Sequence, residues 1–190
     1  MPLFGKGKGN SGQPSGGDAI LAIAVSEPTL STLQMYSAGR AGLTYKPAGG
    51  EAFEELEQEV RGLLHSGQQT TGTRYAVETD EYGYRWVLVA DEQFENMAMG
   101  LYVIGQSFIE RGGSDMLLAA VFPFTYQGQE VHWIFTFKRG TFYPFAPIPE
   151  TQRRNNELEM ELAAKVAEHL PVEKRLEQWF ALWGAPFDAI

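Results

Sequence analysis

Two pairs of β-rich segments, each interrupted by a turn signal, constrain the fold of this 190-residue chain more than any other feature. The segments TRYAVET and YRWVLVA flank the turn DEYGY, in which Gly83 can adopt the positive φ that a tight turn requires. The segments MLLAAVFPFTY and EVHWIFTFK flank Gln127–Gly128 in the same way. Consecutive hairpins pair their strands antiparallel, so the sequence predicts an α+β fold and not a doubly wound parallel sheet.

Segments with helical periodicity surround the two hairpins. Apolar residues recur at three- and four-residue spacing after Gly49–Gly50, between residues 94 and 108, and between residues 158 and 170. A short helix is expected at Ser26, with this residue as its N-cap. The segment AGLTYKP predicts an extra strand, and EKRLEQWFALW (173–183) predicts a last short helix. The predicted fold is an antiparallel sheet of two β-hairpins plus this strand, packed with about five helices.

The first seventeen residues differ from the rest of the chain in composition. Gly, Ser, Lys and Pro dominate the segment MPLFGKGKGNSGQPSGG, which is typical of a flexible tail. Gly7, Gly9 and Gly12 match the spacing G-x-G-x-x-G. No strand precedes them and Pro14 interrupts any helix that follows, so the match does not indicate a nucleotide-binding loop. We expect a tail over residues 1–17 and a single α+β domain over residues 18–190.

Charge and composition exclude several classes of protein. A formal net charge of −9, from 15 basic and 24 acidic residues, is opposite to what a phosphate-tracking surface needs, so no nucleic-acid partner is predicted. The absence of cysteine excludes disulfides and thiolate metal sites. No apolar run approaches the roughly 20 residues that span a bilayer, and the N-terminus lacks the apolar core of a signal peptide. We expect a cytoplasmic protein.

No arrangement of residues in the sequence indicates catalysis. His65, His132 and His169 lie far apart and match no metal-ligand spacing, and no G-x-S-x-G motif occurs. Acidic residues alternate with apolar ones in the helix predicted near residue 158, which is typical of a solvated helix face. These acidic residues are Glu157, Glu159 and Glu161. The sequence therefore predicts no catalytic residue, no metal site and no cofactor.

The stretch FTFKRGTFYPFAP, residues 135–147, is the strongest candidate for a binding surface. Three aromatic residues follow the end of a predicted strand, where alternation no longer requires burial, and four cations bracket them. The candidate surface consists of Lys138, Arg139, Phe142, Tyr143, Phe145, Arg153 and Arg154. Exposed rings would form an apolar patch for a partner to cover. Buried rings would instead close the core, with the cations paired to nearby Glu side chains.

Four segments of the chain resemble the PspA-associated protein PspAB family. They are DEYGYRWVLV, FKRGTFYPFAP, RRNNELEMEL and the ending LPVE…LEQWFALWGAP, and the similarity extends from Leu33 to Pro186. Members are small bacterial and archaeal proteins named for their occurrence beside PspA, the membrane-stress (phage-shock) protein. The resemblance implies an accessory role through protein contacts, with a PspA-like partner, and it supplies no catalytic residues. The element order is also similar to that of secretion-chaperone-like α+β domains.

Three functional hypotheses follow. The first is a non-catalytic adaptor with peripheral contact at the inner face of the membrane, whose cations meet an acidic partner helix or lipid phosphates while the rings anchor the contact. The second is an enzyme or a binder of a small anionic ligand, with a pocket under residues 138–147. In it Arg139 or Arg154 would clamp the ligand, and Tyr143 or His132 would carry the proton. The third is a structural homodimer that buries the aromatic loop in its own interface.

Overall fold

A seven-stranded antiparallel sheet forms the centre of the fold, in a computed structural model that describes residues 17–190. The strands are β1 (Met35–Ser37), β2 (Arg40–Tyr45), β3 (Arg74–Thr79), β4 (Arg85–Ala90), β5 (Leu117–Tyr126), β6 (Gln129–Thr136) and β7 (Thr141–Phe145). Their order across the sheet is β3-β4-β2-β5-β6-β7, and β1 pairs with β5 beyond the end of β2. The short strands β8 (Pro147–Ile148) and β9 (Arg153–Arg154) form a separate hairpin. The predicted α+β class and antiparallel pairing are confirmed.

Four α-helices pack with the sheet in the described part of the chain. They are α1 (Ala22–Thr32), α2 (Glu51–Thr71), α3 (Phe94–Glu110) and α4 (Asn156–Val166). The three periodic segments of the sequence form α2, α3 and α4 as predicted. None of the helices within residues 17–190 is long and apolar enough to cross a membrane. The predicted tail falls outside the described residues except for Gly17, so its flexibility stays a prediction.

The inner face of the sheet carries the main hydrophobic core. Antiparallel register aligns one row of buried side chains across the central strands. This row consists of Leu43, Val87, Ala120, Phe135 and Phe142. Helices α1, α2 and α3 pack their apolar stripes against the same core. The alternation of helices and hairpins in the sequence predicts a sheet face covered by helices in this way.

The outer face of the sheet is covered by an irregular segment, residues 171–190, which we call the strap. Trp179 and Phe187 of the strap are buried against outer-face residues of the sheet. The continuous helix predicted over residues 173–183 is wrong, because only Leu176–Gln178 forms a single 3-10 turn. The strap runs from β7, where the Glu173 amide donates to the Phe142 carbonyl, as far as Trp86 on β4. An extended chain covers about 3.3 Å per residue and a helix only about 1.5 Å, so the crossing favours extended backbone.

Candidate functional site

The three aromatic side chains of the predicted binding loop belong to strand β7 and are at most 2 % exposed. β7 pairs with β6 along its whole length, so these side chains alternate between the two covered faces of the sheet. Phe142 packs in the inner core, whereas Tyr143 and Phe145 pack on the outer face beneath the strap. The hypothesis that these rings form an exposed aromatic patch is therefore wrong, and the rings offer no anchor to a partner. The hypothesis of a homodimer that buries this loop in its interface fails for the same reason, because the rings are not available to a second copy.

One guanidinium group, that of Arg154, joins β9, α4 and the strap. Its Nε donates to both carboxylate oxygens of Glu159, each at 2.9 Å, and its Nη1 donates to the Trp179 carbonyl at 2.6 Å. The group also lies 5.3 Å from the centre of the Phe145 ring. The Glu159 Oε1 atom accepts the Ala146 amide at 2.8 Å. This carboxylate is nearly inaccessible to solvent, so these donors replace the water that would otherwise stabilise it.

The burial of Glu159 corrects the assignment of this residue to a solvated helix face. Leu162 and Ala163 follow it by three and four residues, which places all three side chains on one side of α4. That side packs against the body of the protein. Helical spacing, applied to the acidic residues as well as to the apolar ones, could have found this buried carboxylate from the sequence.

Arg139 makes the second polar connection to the strap. Its Nε lies 3.5 Å from Glu173 Oε2, and its Nη2 donates to Gln178 Oε1. Nearby, the Tyr143 hydroxyl donates to the Phe180 carbonyl at 3.1 Å. Burial raises the pKa of Tyr143 far above its ordinary value, so this hydroxyl remains a donor throughout the physiological range.

Most of the predicted binding surface therefore holds a segment of the same chain. The Tyr143 ring stacks on Trp179 with centroids 6.3 Å apart, and the Phe145 ring meets Trp183 edge-on at 4.8 Å. Lys138 and Arg153 differ from the other members because both are exposed. Neither of these two makes an ion pair with any residue in the range 17–190. Contact between these two cations and a partner stays a prediction.

An apolar groove lies between α4 and the strap. Met160 of α4 and Leu176 of the strap are 56 % and 53 % exposed, and both line it together with Trp179. Two adjoining cavities of about 530 and 270 Å³ share these three side chains. The Arg154–Glu159 pair borders the groove at one end. Exposed apolar side chains with a polar rim are typical of a protein-binding surface, and sequence reasoning missed this groove because it depends on the course of the strap.

A separate open cleft of about 820 Å³ lies beside the turn between β6 and β7. Lys138, Arg139 and Tyr143 contribute to its lining, so it corresponds to the pocket in the ligand hypothesis. Its chemistry favours binding over proton transfer, because the raised pKa of Tyr143 makes this hydroxyl a poor acid near neutral pH. His132, the other proposed proton carrier, is buried and its Nε2 lies 2.8 Å from Glu130 Oε1. Within residues 17–190, no group of three or more His, Asp or Glu side chains could hold a metal ion.

Comparison with known proteins identifies the family of this chain. The family model described as PspA associated protein B matches residues 3–187. The chain belongs to the PspAB family. No curated protein and no solved structure matches the chain. The matched region includes the pairs Arg154–Glu159 and Arg139–Glu173 and most of the strap, so the groove between α4 and the strap lies within it.

The Glu173 carboxylate should make attachment of the strap sensitive to acid. The Arg175 amide, also in the strap, donates to it at 3.0 Å and is the main cause that lowers the pKa of Glu173 below its ordinary value of 4.5, and Arg139, which ties the carboxylate to the turn before β7, lowers this pKa further. A lowered pKa stabilises the fold at higher pH, and this contribution is lost as pH falls through the folded-state pKa. We expect acidification below about pH 4.5 to loosen the strap, as measured by tryptophan fluorescence. Glu173→Gln should flatten this transition. The control Glu177→Gln changes an exposed carboxylate of the strap and should leave the transition as it is in the unaltered protein. Identical transitions in the two variants would contradict the role given to Glu173.

Proposed function

We propose that the protein is a non-catalytic adaptor that binds a PspA-like protein as an accessory component of a membrane-stress response. The observation that supports this most directly is the open apolar groove between α4 and the strap, in a chain whose family is described as PspA associated. The protein acts in the cytoplasm, and its contact with the membrane is peripheral, through the partner.

The chemistry of the groove suits an amphipathic helix of the partner. Apolar side chains at three- and four-residue spacing on such a helix would contact Met160, Leu176 and Trp179, as in other helix-in-groove complexes. The exposed Lys174 also lines the groove. Acidic residues at the edge of the partner helix would meet Lys174, and acidic residues elsewhere on the partner, or lipid phosphates, would meet the exposed cations Lys138 and Arg153.

Replacing Met160 with glutamate should abolish partner binding while leaving the fold intact. The substitution places an unpaired charge in the apolar contact, and we expect the dissociation constant to rise on the order of 30-fold or more. The fold should tolerate the change because the Met160 side chain is already more than half exposed. Calorimetric titration with a purified PspA-like protein measures the affinity, and thermal unfolding of each variant checks the fold.

A methionine in a second apolar groove provides the matched control. Met99 of α3 is 43 % exposed and lines a cavity of about 250 Å³ between α2 and α3. Met99→Glu should bind the partner as tightly as the unaltered protein does. Loss of binding by Met99→Glu alone would move the site to this other groove. Absence of binding by the unaltered protein would overturn the proposed function.

A further inference from the structure

Strand β3 lies at an open edge of the sheet and lacks the proline, the lysine and the bulge that often block such edges. No residue within 17–190 pairs with its outer side, whereas the opposite edge strand, β7, receives the Glu173 amide. β3 pairs with β4 in continuous register over all six residues, Arg74 to Thr79, without a bulge. It contains neither proline nor lysine. Such an edge presents free backbone donors and acceptors to another strand.

The pairing of β3 with β4 fixes which backbone groups point outward. The Asp80 amide donates to the Tyr84 carbonyl at 2.9 Å, immediately beyond the pair formed by Thr79 and Arg85. In an antiparallel ladder, hydrogen-bonded and non-hydrogen-bonded pairs alternate along the strands. The N–H and C=O groups of Tyr75 and Val77 therefore point away from β4 and are available to a further strand.

The sequence of β3 is complementary to itself about Ala76. Antiparallel pairing of two copies centred there places Arg74 of each copy opposite Glu78 of the other. Tyr75 and Val77 then face each other across the copies and exchange their outward backbone hydrogen bonds. Arg74 and Glu78 fall at non-hydrogen-bonded positions, where facing side chains lie closest together. We propose that the protein forms a symmetric homodimer in which two β3 strands join the two sheets into one.

Both charged residues are available for this pairing. Arg74 and Glu78 are exposed. Neither makes an ion pair within the described residues. The net charge of −9 on each chain opposes association only weakly, because physiological salt screens charges beyond about 8 Å. Contacts between directly opposed side chains therefore decide whether the two edges join.

Other registers that preserve the outward hydrogen bonds lose the pairing of Arg74 with Glu78. Centring the two strands on Tyr75 places Glu78 opposite Gly72 of the other copy. Centring them on Val77 places Glu78 opposite Ala76 and Arg74 opposite Asp80, a carboxylate that already accepts the Tyr84 amide and the Trp86 Nε1–H within its own chain. Register in an exposed strand pair is set by such facing side chains. The register centred on Ala76 is the one that pairs Arg74 with Glu78 in both directions.

Charge reversal tests the dimer in a way that separates recognition from folding. The unaltered protein should show a mass in light scattering that rises with concentration toward twice the 21.1 kDa of the chain. Arg74→Glu and Glu78→Arg each place like charges opposite one another twice, so each should raise the dissociation constant on the order of tenfold or more. An equimolar mixture of the two variants should recover the dimer, because an all-acidic edge then meets an all-basic one.

Arg153→Glu is the matched control, since it reverses an exposed strand arginine on another surface, and it should dimerise as the unaltered protein does. A mass of one chain at every concentration up to the solubility limit would overturn the proposal. A dimer that persists in both single variants, or one that the mixture fails to restore, would also overturn it. This surface is separate from the groove between α4 and the strap, so the result is independent of binding to a PspA-like protein.

Discussion

Replacing Arg154 with alanine should lower the free energy of unfolding by about 3 kcal/mol, at the lower end of the range for removing one partner of a buried ion pair. The change leaves the Glu159 carboxylate in the core with the Ala146 amide as its remaining donor. It also removes the donor to the Trp179 carbonyl, so the strap loses one of its attachments. Equilibrium unfolding in urea, followed by circular dichroism, measures the loss.

A second substitution shows whether the uncompensated charge causes this loss. In the Arg154→Ala background, Glu159→Gln removes the buried charge but keeps an oxygen that can accept the Ala146 amide. The double variant should recover at least half of the lost stability. The neighbouring Arg153→Ala should change stability by less than about 0.5 kcal/mol, because Arg153 is exposed. A single variant Arg154→Ala as stable as Arg153→Ala would contradict the structural role given to the pair.

Replacing Trp179 with alanine should cost about 3 kcal/mol or more and detach the strap from the outer face of the sheet. The indole is buried, stacks on Tyr143, and its Nε1 donates to the Glu173 carbonyl at 2.9 Å. Hydrogen exchange should therefore accelerate throughout residues 171–190 before it accelerates in β5 and β6. Exchange measured by mass spectrometry resolves the two regions. The same variant should lose binding of a PspA-like protein, because Trp179 also lines the groove.

The next residue along the chain provides a matched aromatic control. Phe180 is 57 % exposed, and its contact with Tyr143 uses its backbone carbonyl, which a side-chain substitution leaves in place. Phe180→Ala should change stability by no more than about 0.5 kcal/mol and leave hydrogen exchange in the strap unaltered. Equal effects of Trp179→Ala and Phe180→Ala would show that the strap is held by general apolar contact and not by the buried indole.

Local signals in the sequence were sufficient for the hairpins and most helices. Gly83 has the predicted positive φ, 83°, in the turn between β3 and β4, and Gly128 has one of 79° between β5 and β6. The spacing of apolar residues located α2, α3 and α4, because a helix stripe is written within one segment. The predicted start of the first helix was wrong, because α1 begins at Ala22 and not after Ser26. Ser26 lies inside this helix and donates to the His169 carbonyl, so a contact 143 residues away replaced its predicted N-cap role.

The strap and strand β7 could not be predicted because their conformations depend on distant partners. The aromatic residues after Lys138 were placed beyond the end of the predicted strand, yet they form β7, which continues through Pro144 opposite Trp133 in the ladder. Leu176 and Trp179 have helical spacing, but the apolar outer face of the sheet stabilises an extended course instead. The candidate groove exists only where the strap meets α4. Its main residues were therefore absent from the predicted site, although Arg154 at its border was included.

The strap also sets an order of events during synthesis of the protein. Every strand of the sheet precedes residue 171, so the ribosome synthesises all seven strands before the segment that covers their outer face. In that interval the nascent sheet exposes the indole of Trp86 and the side chains of Leu88, Val121 and Ile134. Such a surface attracts chaperones and other nascent chains. Translation that stops early in the strap should therefore yield an aggregation-prone product, even though the whole sheet has been made.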